Sequence, residues 1–454
     1  MFSGNYYNEI EDLSLTVKGI PVVFKRFYNS KLDHDGQLGR RWKSNFEGYL
    51  QGASGGLNAI TVDGKALFFP AIEFIYISLG PGLPNIPPTA YFNPALGENS
   101  KMLVYNSLVG SQVITTYKML NKDGTIYTYS YVQGKGFRLD NTIDSYSNQV
   151  ICEYDSYGNV KTVKVKRSAE SPVNALTMEY ATFGTNTRLL TAVSTCTSPT
   201  ALTVNYGYTK KGDDKYYLTS VTYPDGSTAS YDYDSANTYR INKLKDPRLP
   251  KGYTDIELEY GGTEQRVTKL KTFTSDSHTT TITAFSFSWG SQQNTMTDSL
   301  GHVSKYEFDT NGNMTKEIKM LGSQSIETQY GYDTAGNTTT IIAANSGTTI
   351  FTYDIGDSSS DNYGNLKEMA VWNGTTYLTT KYTYSVDNGL FTHVKSIISP
   401  MGTTATSVAT ITNYYDTKGS LVSTKSGPNL DIVTSYTYNN YGKVTSMTDA
   451  NGKI

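Results

Sequence analysis

Hydrophobic and polar positions alternate with a period of two along most of the chain, and no stretch sustains the i, i+3, i+4, i+7 apolar spacing of an amphipathic helix. IYTYSYV places Tyr127, Tyr129 and Tyr131 on one face of a strand, and FSFSW does the same with Phe285, Phe287 and Trp289. SYDYD, KYTYS and SYTYN repeat the arrangement at Tyr231/Tyr233, Tyr382/Tyr384 and Tyr436/Tyr438. Side chains two apart on a strand share a face, so these segments predict pleated strands with one aromatic side. The expected fold is all-β.

Turns punctuate the strands. Asp-x-x-Gly occurs at Asp155–Gly158, Asp298–Gly301, Asp309–Gly312, Asp333–Gly336, Asp361–Gly364, Asp416–Gly419 and Asp449–Gly452, with Asn439–Gly442 as a variant. A type I turn favours Asp or Asn first, where the side chain caps backbone N–H groups, and Gly fourth, where φ turns positive. That glycine also forms the bulge that returns the chain to an antiparallel partner. Asn373-Gly374 and Asp225-Gly226 read as simpler two-residue turns. The expected organisation is an opening β subdomain over 1–79, a Pro/Gly-rich loop over 80–97 and a repeat array of hairpins over 98–454.

Composition narrows the chemistry. The chain has 454 residues, a net charge of −2 and 18% charged residues, so there is no electrostatic footprint for nucleic acid. Its 38 tyrosines far outnumber its 16 phenylalanines, which suits half-buried pleated surfaces that need both a ring and a polar tip. The most apolar run, residues 67–80, holds Pro70 and Glu73 and is too short to span a bilayer. The first residues lack the basic and apolar regions of a signal peptide.

No constellation of catalytic, cofactor-binding or metal-ligating residues is expected. Cys152 and Cys196 lie outside any C-x-x-C spacing, and His34, His278, His302 and His393 are scattered. The two cysteines read as free thiols, with a single disulfide as the alternative. Gly52-Ala53-Ser54-Gly55-Gly56 matches G-x-S-x-G, but strands follow it where a nucleophile elbow needs a helix. The turn aspartates lack the alternating donors and final Glu of a calcium loop. Asn313, Asn337 and Asn373 begin glycosylation sequons at turns where Asn already has a conformational task. KTVKVKR, residues 161–167, reads as a solvated strand face or a Lys-guarded edge.

The motif YDxxGN, as Tyr154–Asn159 and Tyr332–Asn337, resembles the YD repeat of RHS proteins. Residues 298–314, DSLGHVSKYEFDTNGNM, resemble the full repeat with Phe308 in place of the usual Tyr. The start of the chain is similar to the segment that opens RHS cores, above all Arg26-Phe27-Tyr28-Asn29-Ser30 and Leu38-Gly39-Arg40-Arg41-Trp42. The resemblance implies a spiralling ribbon of antiparallel hairpins, a shell or barrel, that encloses a C-terminal toxin; related barrels in teneurins serve adhesion. The self-cleaving segment of the toxin type has no match here, and Thr448–Ile454 starts another repeat. A fragment is therefore expected, its shell left open.

The expected role is structural, in a secreted or surface-associated bacterial protein whose partners are its own C-terminal effector, absent from this chain, or the remaining shell segments. Two other readings stay open. Exposed aromatic rows would suit an adhesion or glycan-binding module, and unpaired strand edges would suit self-association into a fibre.

Overall fold

A computed structural model describes residues 3–454 apart from 16–19, 62–64, 71–89, 93–99, 110, 169, 197–200, 236–237, 249–253, 274–280, 357–361, 388–390, 401–407 and 428–429. Most of the proposed 80–97 loop lies outside the described residues, but its described part, Ala90–Phe92, is a strand paired antiparallel with Met102–Val104 and not loop. The described residues form 37 strands and no helix. From Lys101–Val109 to Val444–Thr448 each strand pairs antiparallel with its neighbours in sequence, so the chain is one long ribbon of hairpins. The ribbon curls back on itself: the Tyr146 hydroxyl meets Ser420 Oγ, and Tyr441 OH donates to Glu170 Oε1 at 2.8 Å. These contacts bring hairpin tips 274 and 271 residues apart together, which makes the ribbon a spiral.

The opening segment is arranged differently. Tyr7–Leu15, Val22–Asn29 and Trp42–Ser44 form a separate three-stranded sheet. Strands Tyr49–Ala53, Gly56–Ile60 and Ala66–Pro70 then form two hairpins, and the first meets Gly136–Ile143 through Tyr49 opposite Arg138.

The turn chemistry follows the sequence closely. At Asp155, Asp298, Asp309, Asp333, Asp416 and Asp449 the carboxylate accepts the N–H groups two and four residues on, all at 2.8–2.9 Å. The glycine closing each of these turns has φ between 73° and 86°. Asn313 and Asn337 also donate their side-chain N–H to the turn carboxylate at 2.9 Å, so the sequon asparagines are engaged in the turns.

Three readings are corrected. The Gly364 N–H reaches Asp354 O, so this hairpin turns after Tyr353-Asp354, and Asp361 lies outside the described residues. Asp225-Gly226 sits in a four-residue turn in which Gly226 N–H donates to Tyr223 O, and Asn373–Thr376 is a four-residue loop between the paired Trp372 and Tyr377. Val160–Lys166 is paired on both sides, so its lysines guard no edge. Gly55 has φ 75° in a hairpin turn between two strands, so Ser54 sits on no nucleophile elbow.

Gly336 has φ 84° and open space where a Cβ would stand, so only the backbone resists substitution. Gly336→Val should destabilise its hairpin by about 1–2 kcal/mol, while Thr334→Ser in the same turn stays near neutral. Urea midpoints for the two variants check this, and equal midpoints contradict the turn.

Burial is uneven along the ribbon. The largest core joins Leu13, Phe24, Tyr28 and Trp42 of the opening segment to ribbon residues running from Val150 to Val267. Beyond Val267 the only buried hydrophobic side chains among the described residues are Phe308 and Ala335. The opening segment therefore covers one stretch of the ribbon, and the later strands keep half-exposed faces.

Candidate functional site

The seam between the opening segment and the ribbon is the most elaborate site of the molecule. Its contacts run backwards along the ribbon. Val267 N–H donates to Gly4 O at 3.0 Å, Arg240 Nε to Ser30 O at 3.1 Å, Leu190 N–H to Gln37 O at 2.8 Å and Leu139 N–H to Gly48 O at 3.0 Å. Between these points Arg41 donates to the carbonyls of Thr238 and Tyr239, and Ile241 N–H donates to Tyr28 OH. Gly39 has φ 85°, and a Cβ there would stand 2.7 Å from Tyr216 O. Only glycine allows both that backbone and that approach.

At the centre of the seam lies a fully buried ion pair. Arg26 Nε donates to Asp12 Oδ2 at 2.6 Å, and both side chains are 0% exposed. Its other nitrogens donate to Tyr231 OH at 2.8 Å and Tyr223 OH at 3.1 Å, while Tyr206 OH and Tyr223 OH donate to the carboxylate at 2.9 and 3.0 Å. The guanidinium also lies 5.1 Å from the Trp42 ring centroid and 5.4 Å from that of Tyr231. Burial pulls the Arg26 pKa down, but Asp12 and the tyrosine hydroxyls outweigh it and hold the guanidinium charged. Burial pushes the Tyr206 and Tyr231 hydroxyls up, so both remain neutral, Tyr206 as a donor to Asp12 and Tyr231 as an acceptor from Arg26. A charge this deep persists only when paired and fully hydrogen-bonded. Sequence reading missed the pair, yet a signal existed: Val22, Phe24, Arg26 and Tyr28 share one strand face, and the charge sits in an apolar row.

The tyrosines explain themselves by their hydroxyls. Among the described residues, in nine hairpins the Tyr before or near the turn donates its O–H to a carbonyl of the preceding strand at 2.6–2.8 Å, from Tyr154 to Leu139 through Tyr438 to Leu421. Each accepting carbonyl lies two residues ahead of the point where that strand begins pairing with the tyrosine's own, as Met314 precedes Lys316 for Tyr332. Neighbouring hairpins splay apart at their tips, and the phenol fills the gap and satisfies the stranded carbonyl. Phenylalanine could fill the gap but not the carbonyl.

Among the described residues no group of three or more His, Cys, Asp and Glu side chains could hold a metal ion. No helix is long and apolar enough to cross a membrane, again among the described residues. Cys152 is buried and Cys196 exposed, both free, and burial pushes the Cys152 thiol up to about 12. Thiolates, not thiols, react. Iodoacetamide at pH 8 should therefore label Cys196 in the folded chain and Cys152 only after unfolding, as peptide mass spectrometry would show; equal labelling in the folded chain would contradict the burial.

Residues 1–69 match the family described as Domain of unknown function (DUF6531). No curated protein matches the chain. Among solved structures, the chain is similar to TcdB2-TccC3 without its hypervariable C-terminal region, at 9% identity and TM-score 0.43 over 99% of this chain and 26% of that one. It is also similar to the Photorhabdus luminescens Tc holotoxin pore, at 12% identity and TM-score 0.40 over 98% and 26%. A third, TcdB2-TccC3-TEV, gives 11% and 0.34 over 97% and 27%. The chain thus spans about a quarter of the length of these solved chains.

Proposed function

We propose that the chain is a structural segment of an RHS/YD-repeat shell in a secreted bacterial protein, enclosing and protecting a C-terminal effector. One observation carries the reading. The opening segment fills one face of the ribbon as far as Val267, and beyond it the same spiral carries half-buried aromatic rows with no covering element among the described residues. A face of that kind suits an unfolded polypeptide or further shell strands. The divisions 1–79, 80–97 and 98–454 are carried forward as part of this proposal. Sequencing the gene past Ile454, followed by proteolysis of its full product, tests it. A downstream segment that resists protease until the shell is denatured supports containment. A chain with no such segment, or one cut equally fast before and after denaturation, removes it.

A second reading rests on Trp372 and Tyr377, a cross-strand pair with ring centroids 5.1 Å apart, exposed at 37% and 38%. Paired open rings suit sugar stacking. A glycan array that binds the chain but not its Trp372→Ala variant would favour adhesion, and a blank array would dismiss it.

A further inference from the structure

At one end of the seam, the loop of residues 34–40 faces a row of hairpin tips across a cleft of about 500 Å³. That volume lies within the range of small-ligand sites, roughly 300–1,000 Å³. Five cationic side chains line it (Arg40, Lys135, Arg138, Arg188 and Lys215) against three carboxylates, Asp35, Glu47 and Asp214.

The carboxylates are already committed. Asp35 pairs with Lys215 at 2.7 Å and Arg40 at 3.4 Å, and Asp214 pairs with Lys210 at 2.9 Å. Glu47 accepts the backbone N–H groups of Gln37 at 3.0 Å and Ser44 at 2.6 Å. Lys215 and Arg40 are paired as well, the first with Asp35 and the second with Asp33 and Asp35, but Arg138 and Arg188 are less committed. Among the described residues Arg138 has no ion-pair partner: it donates to Phe137 O at 3.2 Å and lies 4.8 Å from the Tyr49 ring centroid. Arg188 lies 4.2 Å from the Tyr157 ring and has only a long 3.6 Å contact with Asp155; its Nε is buried without an acceptor. Arg40 Nε is also buried without an acceptor. Burial pulls the Arg138 pKa down, and the nearby Tyr154, Tyr49 and Glu47 offset it only in part.

Arg40, Arg138 and Arg188 thus line one half-open cleft from three separate segments, and Arg138, Arg188 and the Arg40 Nε keep hydrogen-bonding capacity to spare. The planar fork of arginine matches carboxylate and phosphate oxygens. The geometry points to a binding site for a small polyanion carrying carboxylate or phosphate groups, seated between the opening segment and the hairpin tips. This site is independent of the containment role, since it lies at the seam and not on the uncovered face. A ligand there would bridge the two parts and tighten their union.

Isothermal titration of the 454-residue chain at low salt, with pyrophosphate and separately with citrate, tests the site. Saturable binding is expected, weakening as salt screens the cleft. Arg138→Gln and Arg188→Gln should each raise Kd by about tenfold or more. Lys135→Gln, at the exposed rim, disturbs no buried contact and should raise Kd by about threefold, which keeps the test sound if an arginine variant misfolds by circular dichroism. Binding of pyrophosphate alone identifies a phosphate ligand, binding of citrate alone a carboxylate one, and binding of both the shared oxyanion chemistry; each supports the site. No saturable heat at millimolar concentration for either probe, or a Kd unchanged in the folded variants, overturns it.

Discussion

Arg26→Met is expected to destabilise the chain by about 3–5 kcal/mol, because it leaves the Asp12 carboxylate buried with no cation beside it. The methionine approximates the arginine stem in volume, so the loss is chiefly electrostatic and not a cavity. Two of the tyrosine hydroxyls, Tyr206 and Tyr223, continue to donate to Asp12, which places the effect toward the lower part of that range. Adding Asp12→Leu should recover a large part of the loss, since removing both members of a buried pair is far less harmful than removing one. A double-mutant cycle on urea midpoints reads the coupling. A loss under 1 kcal/mol for Arg26→Met alone would mean that the seam is wet and the pair exposed.

Trp42→Ala should cost a similar amount, about 3–5 kcal/mol, by a different route. Its side chain is fully buried, with ring centroids 5.2 Å from Tyr28 and 5.1 Å from Tyr231, and its indole N–H donates to Tyr233 OH at 3.0 Å. Truncation leaves a large void between opening segment and ribbon, which rigid strands on both sides cannot close. Trp42→Phe retains most of the packing, and Tyr233 OH still donates to Leu218 O at 2.6 Å, so a loss nearer 1–2 kcal/mol is expected. Repeat arrays unfold by neighbouring units, so the damage should concentrate in the strands up to Val267. Fluorescence and urea midpoints separate the two variants; equal losses for Ala and Phe would show that the indole fills no real gap.

Much of the ribbon was legible because its rules are local. Period-two rows and Asp-x-x-Gly steps fixed strands and turns without reference to distant residues. The same closure also occurs where the fourth residue is not glycine: Ser147, Asp214 and Ser346 hold φ of 62°, 62° and 64° at that position. The turn closing at Gly364 was misread because it carries an insertion, and Gly364 N–H reaches back past the Asp-x-x-Gly spacing to Asp354 O. The hydroxyl partners of the tyrosines were hidden as well, since the sequence gives the ring but not how far neighbouring strands splay at their tips. The seam was least legible. Arg26 meets Tyr231 across 205 residues, and no local pattern encodes contacts between an opening sheet and a spiral. The cleft cations were hidden for the same reason: Arg40, Arg138 and Arg188 come together only when the opening loop lies across the hairpin tips.

Native-state hydrogen exchange on the intact chain tests the central claim directly, that one opening sheet clamps one stretch of a continuous ribbon. Amides of Val22–Asn29 and of the ribbon strands from Gln149–Tyr154 to Arg266–Phe273 should be the most protected and should open together, with strands from Val303–Phe308 onward exchanging at lower free energy. Uniform protection along the ribbon, or opening strands that exchange early and alone, would contradict it.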